Sequence, residues 1–297
     1  MRHFLVAIVA LCTVLSLRAQ QPAPLPQQLE EQAGEQLPYF FEAVNLVADT
    51  PGKSRIDILY RIDTQFFVAV RNTNPDFPFP FIRRGEVLVE LYDKNDVSKA
   101  RDIRRFEIAE TNPESVPDLK SWREGVACFT VDPGEYKIVF EIDDLESTRK
   151  RLDNKRRIEA KAFDGKTVAT SSPLFIYPPD PQHPHVLTPI NFGGDMLFGK
   201  GAALFLQLYS PAITSDSVRV EYTIATQRFL FQEPTTVVSD TLTALAVSPT
   251  PSLMRLTDTP TSYSLAELTS PQTVRALIIP LKAEKLPLRP FTLELTI

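Results

Sequence analysis

Few side chains in this sequence are suited to catalysis. Its three histidines are His3, His183 and His185, and the last two lie in YPPDPQHPH, a nine-residue stretch with four prolines. A Ser-His-Asp triad, a Cys-His pair or a zinc site would have to be built on that stretch. The HPH pair has no neighbouring third ligand, so we expect a solvated segment there and no metal site.

Carboxylates are plentiful, and a pair of them could hydrolyse a glycosidic bond without histidine. The closest pairs in sequence are Asp143 with Asp144 and Asp93 with Asp96. Both stand at strand ends beside turn residues, where solvated acids are common. The DKND stretch from Asp93 to Asp96 could hold calcium, but it lacks the glycine and the distal glutamate of a helix-loop-helix calcium loop. We therefore predict turns there.

Two further motifs are weaker than they look. Cys128 alternates in step with Val126 and Thr130, which predicts a buried thiol that packs and does not react. The stretch GGDMLFGKGA resembles a phosphate-binding loop, but Gly201 stands where Ser or Thr is required after Lys200. The sequence thus predicts a non-enzymatic protein with no cofactor.

Two segments are candidates for binding. Six basic residues within nine positions could form a positive patch suited to an anionic polysaccharide, lipopolysaccharide or an acidic partner, or they could be a solvated connection between strands. They are Arg149, Lys150, Arg151, Lys155, Arg156 and Arg157. In FPFPF the aromatic residues Phe77, Phe79 and Phe81 could anchor a partner or cap the end of a sandwich.

The N-terminus predicts export. Arg2 and His3 precede an apolar run of 14 residues, Phe4 to Leu17, and Ala19 offers a small residue for cleavage. This is the layout of a secretory signal peptide, residues 1–19, with the mature chain beginning at Gln20. The run is shorter than the ~20 residues that span a bilayer, so we expect no transmembrane span after cleavage. The location would be periplasmic, outer-membrane-associated or extracellular.

Charge and cysteine content narrow the classes of partner. Cleavage would remove Arg2 and Arg18, so the formal net charge of −5 would become −7. An acidic protein of this kind is a poor match for nucleic acid, whose backbone is bound mainly by clustered positive charge. Cys128 would be the one remaining thiol, so no intramolecular disulfide can form.

Proline and glutamine divide the chain into segments. Residues 20–36 lack apolar periodicity and predict a disordered spacer. Residues 178–185 fall in the proline-rich stretch and predict an extended linker. Two folded units are expected, one over 37–177 and one over 186–297.

Apolar residues recur at every second position in both units, which is typical of β-strands. In DPGEYKIVFEIDD, Pro133 and Gly134 predict a turn, and Tyr136, Ile138, Phe140 and Ile142 predict the buried face of a strand. Similar alternation in Arg55–Arg61 predicts a strand with one wet face, and Phe66–Arg71 is a further predicted strand. We therefore predict an all-β protein of two immunoglobulin-like antiparallel β-sandwich domains.

The order of strand-like segments resembles one known family. These segments are IDILYR (Ile56–Arg61), FFVAV (Phe66–Val70), GEVLVELYDKND (Gly85–Asp96), DPGEYKIVFEIDDLES (Asp132–Ser147), RIEAKAF (Arg157–Phe163), SSPLFI (Ser171–Ile176) and GGDMLFGKGAALFLQLYSP (Gly193–Pro211). They are similar to the exported bacterial proteins called GWxTD-domain proteins. The naming motif is absent, since the sole Trp, Trp122, lies in SWREG. The resemblance implies an envelope-associated or secreted β protein of bacteria of the Bacteroidota and Chlorobi type.

Three functions follow from these patterns. The first is a non-catalytic structural or interaction module of the bacterial envelope, whose partner is another envelope protein. The second is a β-sandwich that binds glycans or anionic polymers, and a line of exposed aromatic residues on one sheet face would favour it. The third is a carboxylate-based glycoside hydrolase, which would need two acids about 5 to 9.5 Å apart in a cleft.

Overall fold

A computed structural model describes residues 37–74, 76, 78–112, 122–164, 169–182, 186–190, 201–209, 217–226, 236–247, 263–264, 274–281 and 291–296. The predicted signal peptide and spacer lie outside the described residues, as do His183 and His185. The glycine-rich stretch before Gly201 is also outside them.

The described chain is all-β, as the alternation predicts. One 3₁₀ turn, Thr64–Phe66, is its single helical element. The strands are β1 (Tyr39–Val47), β2 (Ser54–Asp63), β3 (Val70–Arg71), β4 (Phe81–Tyr92), β5 (Ser98–Glu110), β6 (Trp122–Val131), β7 (Gly134–Asp144), β8 (Lys150–Asp153), β9 (Arg157–Ala160), β10 (Ala169–Thr170), β11 (Leu174–Ile176), β12 (Val186–Leu187), β13 (Ala202–Tyr209), β14 (Ser217–Thr226), β15 (Thr236–Val247), β16 (Tyr263–Ser264), β17 (Val274–Leu281) and β18 (Phe291–Thr296).

These strands form antiparallel sheets. Sheet A has the order β1-β2-β6. In sheet B, β4 lies between β5 and β7. Strand β3 pairs with β4 on the same side as β7. Strands β8 and β9 both pair with β7. Sheet C has the order β10-β13-β17-β15-β14-β18, and β11 also pairs with β13. Strands β12 and β16 form a separate pair.

Sheets A and B pack face to face around one apolar core. The four residues predicted to form the buried face of β7 all lie in it, at most 5% exposed: Tyr136, Ile138, Phe140 and Ile142. Opposite them, the Phe41 ring of β1 lies 4.8 Å from the Phe140 ring. Period-two alternation in each strand supplies this core, because successive side chains point to opposite faces of a sheet.

The second face of β2 is buried too, so the predicted wet face is wrong. Leu59 and Asp57 are both 0% exposed. Leu59 belongs to a second apolar cluster, which includes Val126 of β6 and reaches Leu174 of β11 and Phe205 of β13. Sheet C therefore covers this part of sheet A, and sheet A lies between two cores. The buried Asp57 carboxylate is neutralised by Arg55, whose Nε and Nη2 donate to its two oxygens at 2.8 Å.

The segment Phe66–Arg71 also differs from its prediction. Asp63 accepts a hydrogen bond from the Gln65 amide at 2.9 Å and caps a 3₁₀ turn that ends at Phe66. The strand begins only at Val70. Phe67 is fully buried in the core between sheets A and B. The apolar run thus contributes Phe67 to the core from a turn. Hydrophobicity alone does not distinguish such a turn from a strand.

The two flanks of the proline-rich stretch bind each other. The Tyr177 amide donates to the Thr188 carbonyl at 2.9 Å, and the Ile190 amide donates to the Phe175 carbonyl at 2.8 Å. The predicted linker, residues 178–185, is only partly described and stays a prediction. Residues 169–176, assigned above to the first unit, pair with β13. The division into units at 177 and 186 stays a prediction.

A buried polar joint connects β1 to sheet C. It comprises Asn45, Ser171, Ser172 and Gln207, and three of its members are at most 2% exposed. The Asn45 backbone exchanges hydrogen bonds with Ser172, donating to Oγ at 3.0 Å and accepting from the amide at 2.7 Å. The Val47 amide donates to Gln207 Oε1 at 2.8 Å, and the Gln207 amide donates to Ser171 Oγ at 3.0 Å.

The Asn45 side chain binds inside sheet A as well. Its Nδ2 donates to Ser54 Oγ and, at 3.0 Å, to the Arg55 carbonyl. Its Oδ1 accepts from the Lys161 amide at 2.9 Å. One amide thus binds groups on both sides of β1, and removing it would take a hydrogen-bond partner from the fully buried Ser54 hydroxyl.

We expect Asn45→Ala to lower the free energy of unfolding by about 2–4 kcal/mol, because buried polar groups lose their hydrogen bonds. Asn95→Ala is the matched control: Asn95 is exposed in a turn and should cost less than about 0.5 kcal/mol. Urea unfolding of the mature chain measures both. Equal effects of the two substitutions would contradict the structural role assigned to Asn45.

Candidate functional site

Sheet A has two edge strands, β1 and β6, whose outward backbone groups can be identified. The Asp63 amide donates to the Pro38 carbonyl at 2.8 Å, so odd-numbered residues of β2 point their backbone groups toward β1. Hydrogen-bonded pairs alternate along an antiparallel ladder. Even-numbered residues of β2 therefore bond to odd-numbered residues of β6. The outward backbone groups of β6 belong to Glu124, Val126, Cys128 and Thr130.

Outward backbone groups of three β1 residues are bound by other parts of the chain. The polar joint binds the backbone of Asn45 and Val47. Nearer the start of the strand, the Phe41 carbonyl accepts a hydrogen bond from Arg156. These three residues are odd-numbered, in agreement with the alternation derived from β2. Side chains and a neighbouring segment thus cover this edge at Phe41, Asn45 and Val47.

The outward edge of β6 is open over the part of the chain that the structure describes. There, β6 pairs with β2 alone, and no backbone hydrogen bond reaches its outward amides and carbonyls. Cys128 and Thr130 are exposed. From Glu124 to Val131 the strand contains neither lysine nor proline, the residues with which proteins commonly block sheet edges. An edge of this kind can pair with another strand.

The corresponding edge of sheet B is protected. Among the described strands, β5 pairs with β4 only, but seven of its thirteen residues are charged. Asp102 and Arg104, on the same face as the core-packed Ala100 and Phe106, form an ion pair at 2.8 Å. Charges that point inward from an edge strand disfavour the addition of another strand. Of these two edges, β6 is the one suited to pairing.

An aromatic cluster lies on the outer face of sheet A beside the start of β6. We call Phe40, Arg61 and Trp122 the Arg61 cluster. The Arg61 guanidinium carbon is 5.0 Å from the Phe40 ring centre and 4.9 Å from the Trp122 ring centre. The two rings are 5.6 Å apart. All three residues are half-buried, and Trp and Arg are the residues most often found at energetic centres of protein interfaces.

Two carboxylates share the face of the Arg61 cluster. Glu124 is the β6 residue directly opposite Arg61, and Phe40 is opposite Arg61 on β1. Glu42 follows two positions after Phe40, so it points to the same face. Burial raises the pKa of Glu42, and Arg156 partly opposes that rise. Both glutamates are half-buried.

The basic residues predicted to form a patch are divided between two strands and their connection. Lys150 lies 2.7 Å from Glu141 and 3.5 Å from Asp143. Arg157 lies 3.2 Å from Glu135. These ion pairs, with acids on the neighbouring strand β7, reduce the positive charge that the segment offers to a ligand.

The remaining four basic residues make different contacts. The Arg149 side chain donates to the Phe66 carbonyl at 3.2 Å. Arg156 binds the Phe41 carbonyl and lies over the Phe41 ring at 4.1 Å, so it is part of the fold. Arg151 and Lys155 are exposed. The six residues therefore do not share one environment.

The phenylalanine loop is only partly described. The Asn72 amide donates to the Pro80 carbonyl at 2.8 Å and closes the loop between β3 and β4. Phe79 is 37% exposed, whereas Phe81 is half-buried at the start of β4. Phe77 lies outside the described residues. Of the two described members of the trio, Phe79 is thus the one that a partner could contact.

The carboxylate pairs have structural roles. Asp143 faces Lys150, while Asp144 is 1% exposed and accepts hydrogen bonds from the Val68 amide at 3.0 Å and the Ser147 hydroxyl at 2.5 Å. Neighbouring residues on a strand point to opposite faces, so these two acids are separated by the sheet.

The predicted turn at DKND is present between β4 and β5. Asp93 accepts hydrogen bonds from the Asn95 and Val97 amides at 2.8 and 3.0 Å, which lowers the pKa of its carboxyl group, the Val97 bond contributing most. Asp96 adopts φ 56° and binds Lys137. Among the described residues, no three acids, histidines or cysteines are grouped as a metal site would require.

A cleft lies where this turn meets the β6–β7 turn. Its volume is about 590 Å³. Lys53 binds Asp132 at 2.5 Å, and Lys99 binds Asp93 at 3.1 Å. The Tyr136 hydroxyl donates to the Asp132 carbonyl at 2.8 Å. Most of the polar groups that line the cleft thus bind one another.

Cys128 is exposed, so its predicted burial is wrong. Its side chain points to the same face of the sheet as those of Val126 and Thr130, but β6 is the edge strand of that sheet. Arg55 Nη2 lies 3.6 Å from its sulfur. Desolvation by the surrounding protein, followed by the Asp57 carboxylate, raises the pKa of the thiol to about 12. The thiol therefore stays protonated at neutral pH, and protonated thiols are poor nucleophiles.

Comparison with known proteins returns no match among family models, curated proteins or solved structures. Any functional proposal therefore rests on the fold and the surfaces described above. No helix among the described residues has the length and apolar character needed to cross a bilayer.

Sequence patterns point to neither the open edge nor the Arg61 cluster. Trp122 is the sole tryptophan, and a tryptophan in a predicted exported β protein is a weak signal for a contact residue. The partners of Trp122 come from β1 and β2, more than 60 residues earlier in the chain. Their proximity depends on strand register, which alternation alone does not give.

We expect iodoacetamide to alkylate Cys128 at pH 8 at least about 100-fold more slowly than it alkylates a free cysteine, because a pKa of about 12 leaves very little thiolate. The rate should rise about tenfold per pH unit. Mass spectrometry measures it, and the same chain in 8 M urea is the control. Labelling of the folded chain as fast as in urea would contradict the raised pKa.

Proposed function

We propose that this chain is an exported, non-catalytic interaction module of the bacterial envelope, which binds a partner protein at the edge of β6. The open outward backbone of β6 is the observation that carries the proposal. Strand addition gives affinity through main-chain hydrogen bonds and specificity through alternate side chains. The Arg61 cluster supplies aromatic and guanidinium surface beside that edge.

Export rests on the signal-like residues 1–19, with the mature chain starting at Gln20. Periplasmic, outer-membrane-associated and extracellular locations are all compatible with such a signal. We further propose that the sheets belong to two immunoglobulin-like sandwiches. The face-to-face packing of sheets A and B around one core supports the first of these. The similarity of the strand order to the GWxTD-domain proteins supports an envelope role.

The arrangement of charges favours protein binding over the two alternatives. Ion pairs with β7 reduce the charge that Lys150 and Arg157 offer to an anionic polymer. The acids Asp143 and Asp144 lie on opposite faces of their sheet, which separates them as a hydrolytic pair. The ion pairs and the separated acids both stabilise the sheet in the absence of any substrate.

We expect Cys128→Pro to abolish capture of the partner. Proline removes an outward amide and places a ring on the edge, while no ladder hydrogen bond of sheet A is lost. Cys128→Ser is the matched control, since it changes the same side chain and keeps the amide. The experiment uses residues 20–297 as bait in an envelope extract of the source bacterium, with quantitative mass spectrometry.

The same protein should be enriched by the wild-type and Cys128→Ser baits and fall at least about tenfold with Cys128→Pro, a loss expected when several main-chain hydrogen bonds cannot form. Thermal unfolding must show that both variants are folded. Equal enrichment by a folded Cys128→Pro bait would contradict the proposal. Enrichment of polysaccharide alone would contradict it as well.

A further inference from the structure

The face beside the open edge determines which strand can bind there. Because the backbone groups of Glu124 point outward, an added strand would place one residue directly opposite Glu124 in a hydrogen-bonded pair. Side chains of such a pair lie on the same face, with Cβ atoms about 5 Å apart. That residue therefore meets the Glu124 carboxylate, and its neighbours two positions away meet Trp122 and Val126.

Glu124 is the charged residue that β6 itself presents on this face, and Arg61 lies directly opposite it on the inner strand β2. The Arg61 guanidinium carbon lies 5.0 and 4.9 Å from the Phe40 and Trp122 ring centres. An added strand would approach Glu124 from the side away from Arg61. A cation on that strand would pair with the Glu124 carboxylate, whereas a carboxylate would be repelled by it. Opposite charges stabilise a cross-strand pair, and like charges destabilise it.

Apolar residues flank Glu124 along the strand. Trp122 presents part of a half-buried indole ring, whereas Val126 is 8% exposed and packs in the second core. Residues at positions 122, 124 and 126 alternate with inward-facing ones, so all three point to this outer face. The surface that β6 offers to a partner strand there is thus apolar at Trp122 and acidic at Glu124.

We infer that the partner segment is an extended strand in which a Lys or Arg lies opposite Glu124 and an apolar residue two positions away lies opposite Trp122. This inference rests on the proposed function, because it assigns the chemistry of the strand received at β6. The basic side chain binds Glu124, and the apolar residue covers Trp122. A rim of charge around an apolar contact sets the register as well as the affinity.

Trp122 itself reports on binding, since the chain has one tryptophan. Two N-acetylated, C-amidated peptides serve as probes, STVTKTVTS and STVTETVTS, which differ only at the central charge. Each is titrated into residues 20–297 at 20 mM salt while Trp122 emission is followed. Wild type, Glu124→Gln, Cys128→Pro and Cys128→Ser are compared after thermal unfolding has shown that each is folded.

We expect the lysine peptide to bind about fivefold more tightly than the glutamate peptide, the size of effect that opposite and like charges have across a strand pair. Glu124→Gln should reduce this preference to less than about twofold, and 300 mM salt should weaken it. Cys128→Pro should remove binding of both peptides, whereas Cys128→Ser should not.

The outcomes separate the inference from the proposed function. If both peptides bind the wild type equally and neither binds Cys128→Pro, the inferred basic residue would be wrong, while the open edge would remain supported. Binding unaffected by Cys128→Pro, or no binding of either peptide, would overturn the inference together with edge pairing. Self-association of the wild type that is lost in Cys128→Pro would overturn the inference as well, because it assigns the edge to a second copy.

Discussion

Every backbone amide and carbonyl at the edge of a sheet must bind a partner or face water, and this requirement shapes the whole molecule. At β1 the requirement is met inside the protein by the polar joint of Asn45, Ser171, Ser172 and Gln207. Buried hydrogen bonds of this kind are costly to break because the freed groups have no water to replace the partner. The joint therefore fixes sheet C against sheet A and determines which face of β2 is buried.

The two cores depend on that connection. Leu59 and Val126 can be buried only because Leu174 and Phe205 are held over them. With one edge of sheet A closed in this way, its other edge, β6, is left without a partner among the described residues. The charged strand β5 protects sheet B from the same exposure. The asymmetry between β5 and β6 links the packing of the protein to its proposed role in binding.

Local alternation in the sequence is sufficient to predict the strands that line the first core. The alternating residues Tyr136, Ile138, Phe140 and Ile142 lie in the core where their spacing places them. Alternation fails where contacts with distant residues decide the structure. Phe67 is buried from a 3₁₀ turn that Asp63 caps, and Leu59 is covered by strands more than 100 residues away.

The candidate site was less predictable than the fold. Composition marks the basic and the aromatic segment as candidates, but it does not show that Lys150 and Arg157 pair with Glu141 and Glu135 on β7. The Arg61 cluster joins three strands, and no single segment contains its pattern. An open edge is a property of the whole sheet, because it depends on which strands are present beside β6. A sequence gives no local sign of it.

Residue-resolved hydrogen exchange of the free mature chain tests the open edge most directly. The account predicts alternation along β6: the outward amides of Cys128 and Thr130 exchange at least about a thousand times faster than the inward amides of Ala127 and Phe129, which bond to β2. Equal protection of all four amides would show that another part of the chain already covers this edge. The central claim about β6 would then be wrong.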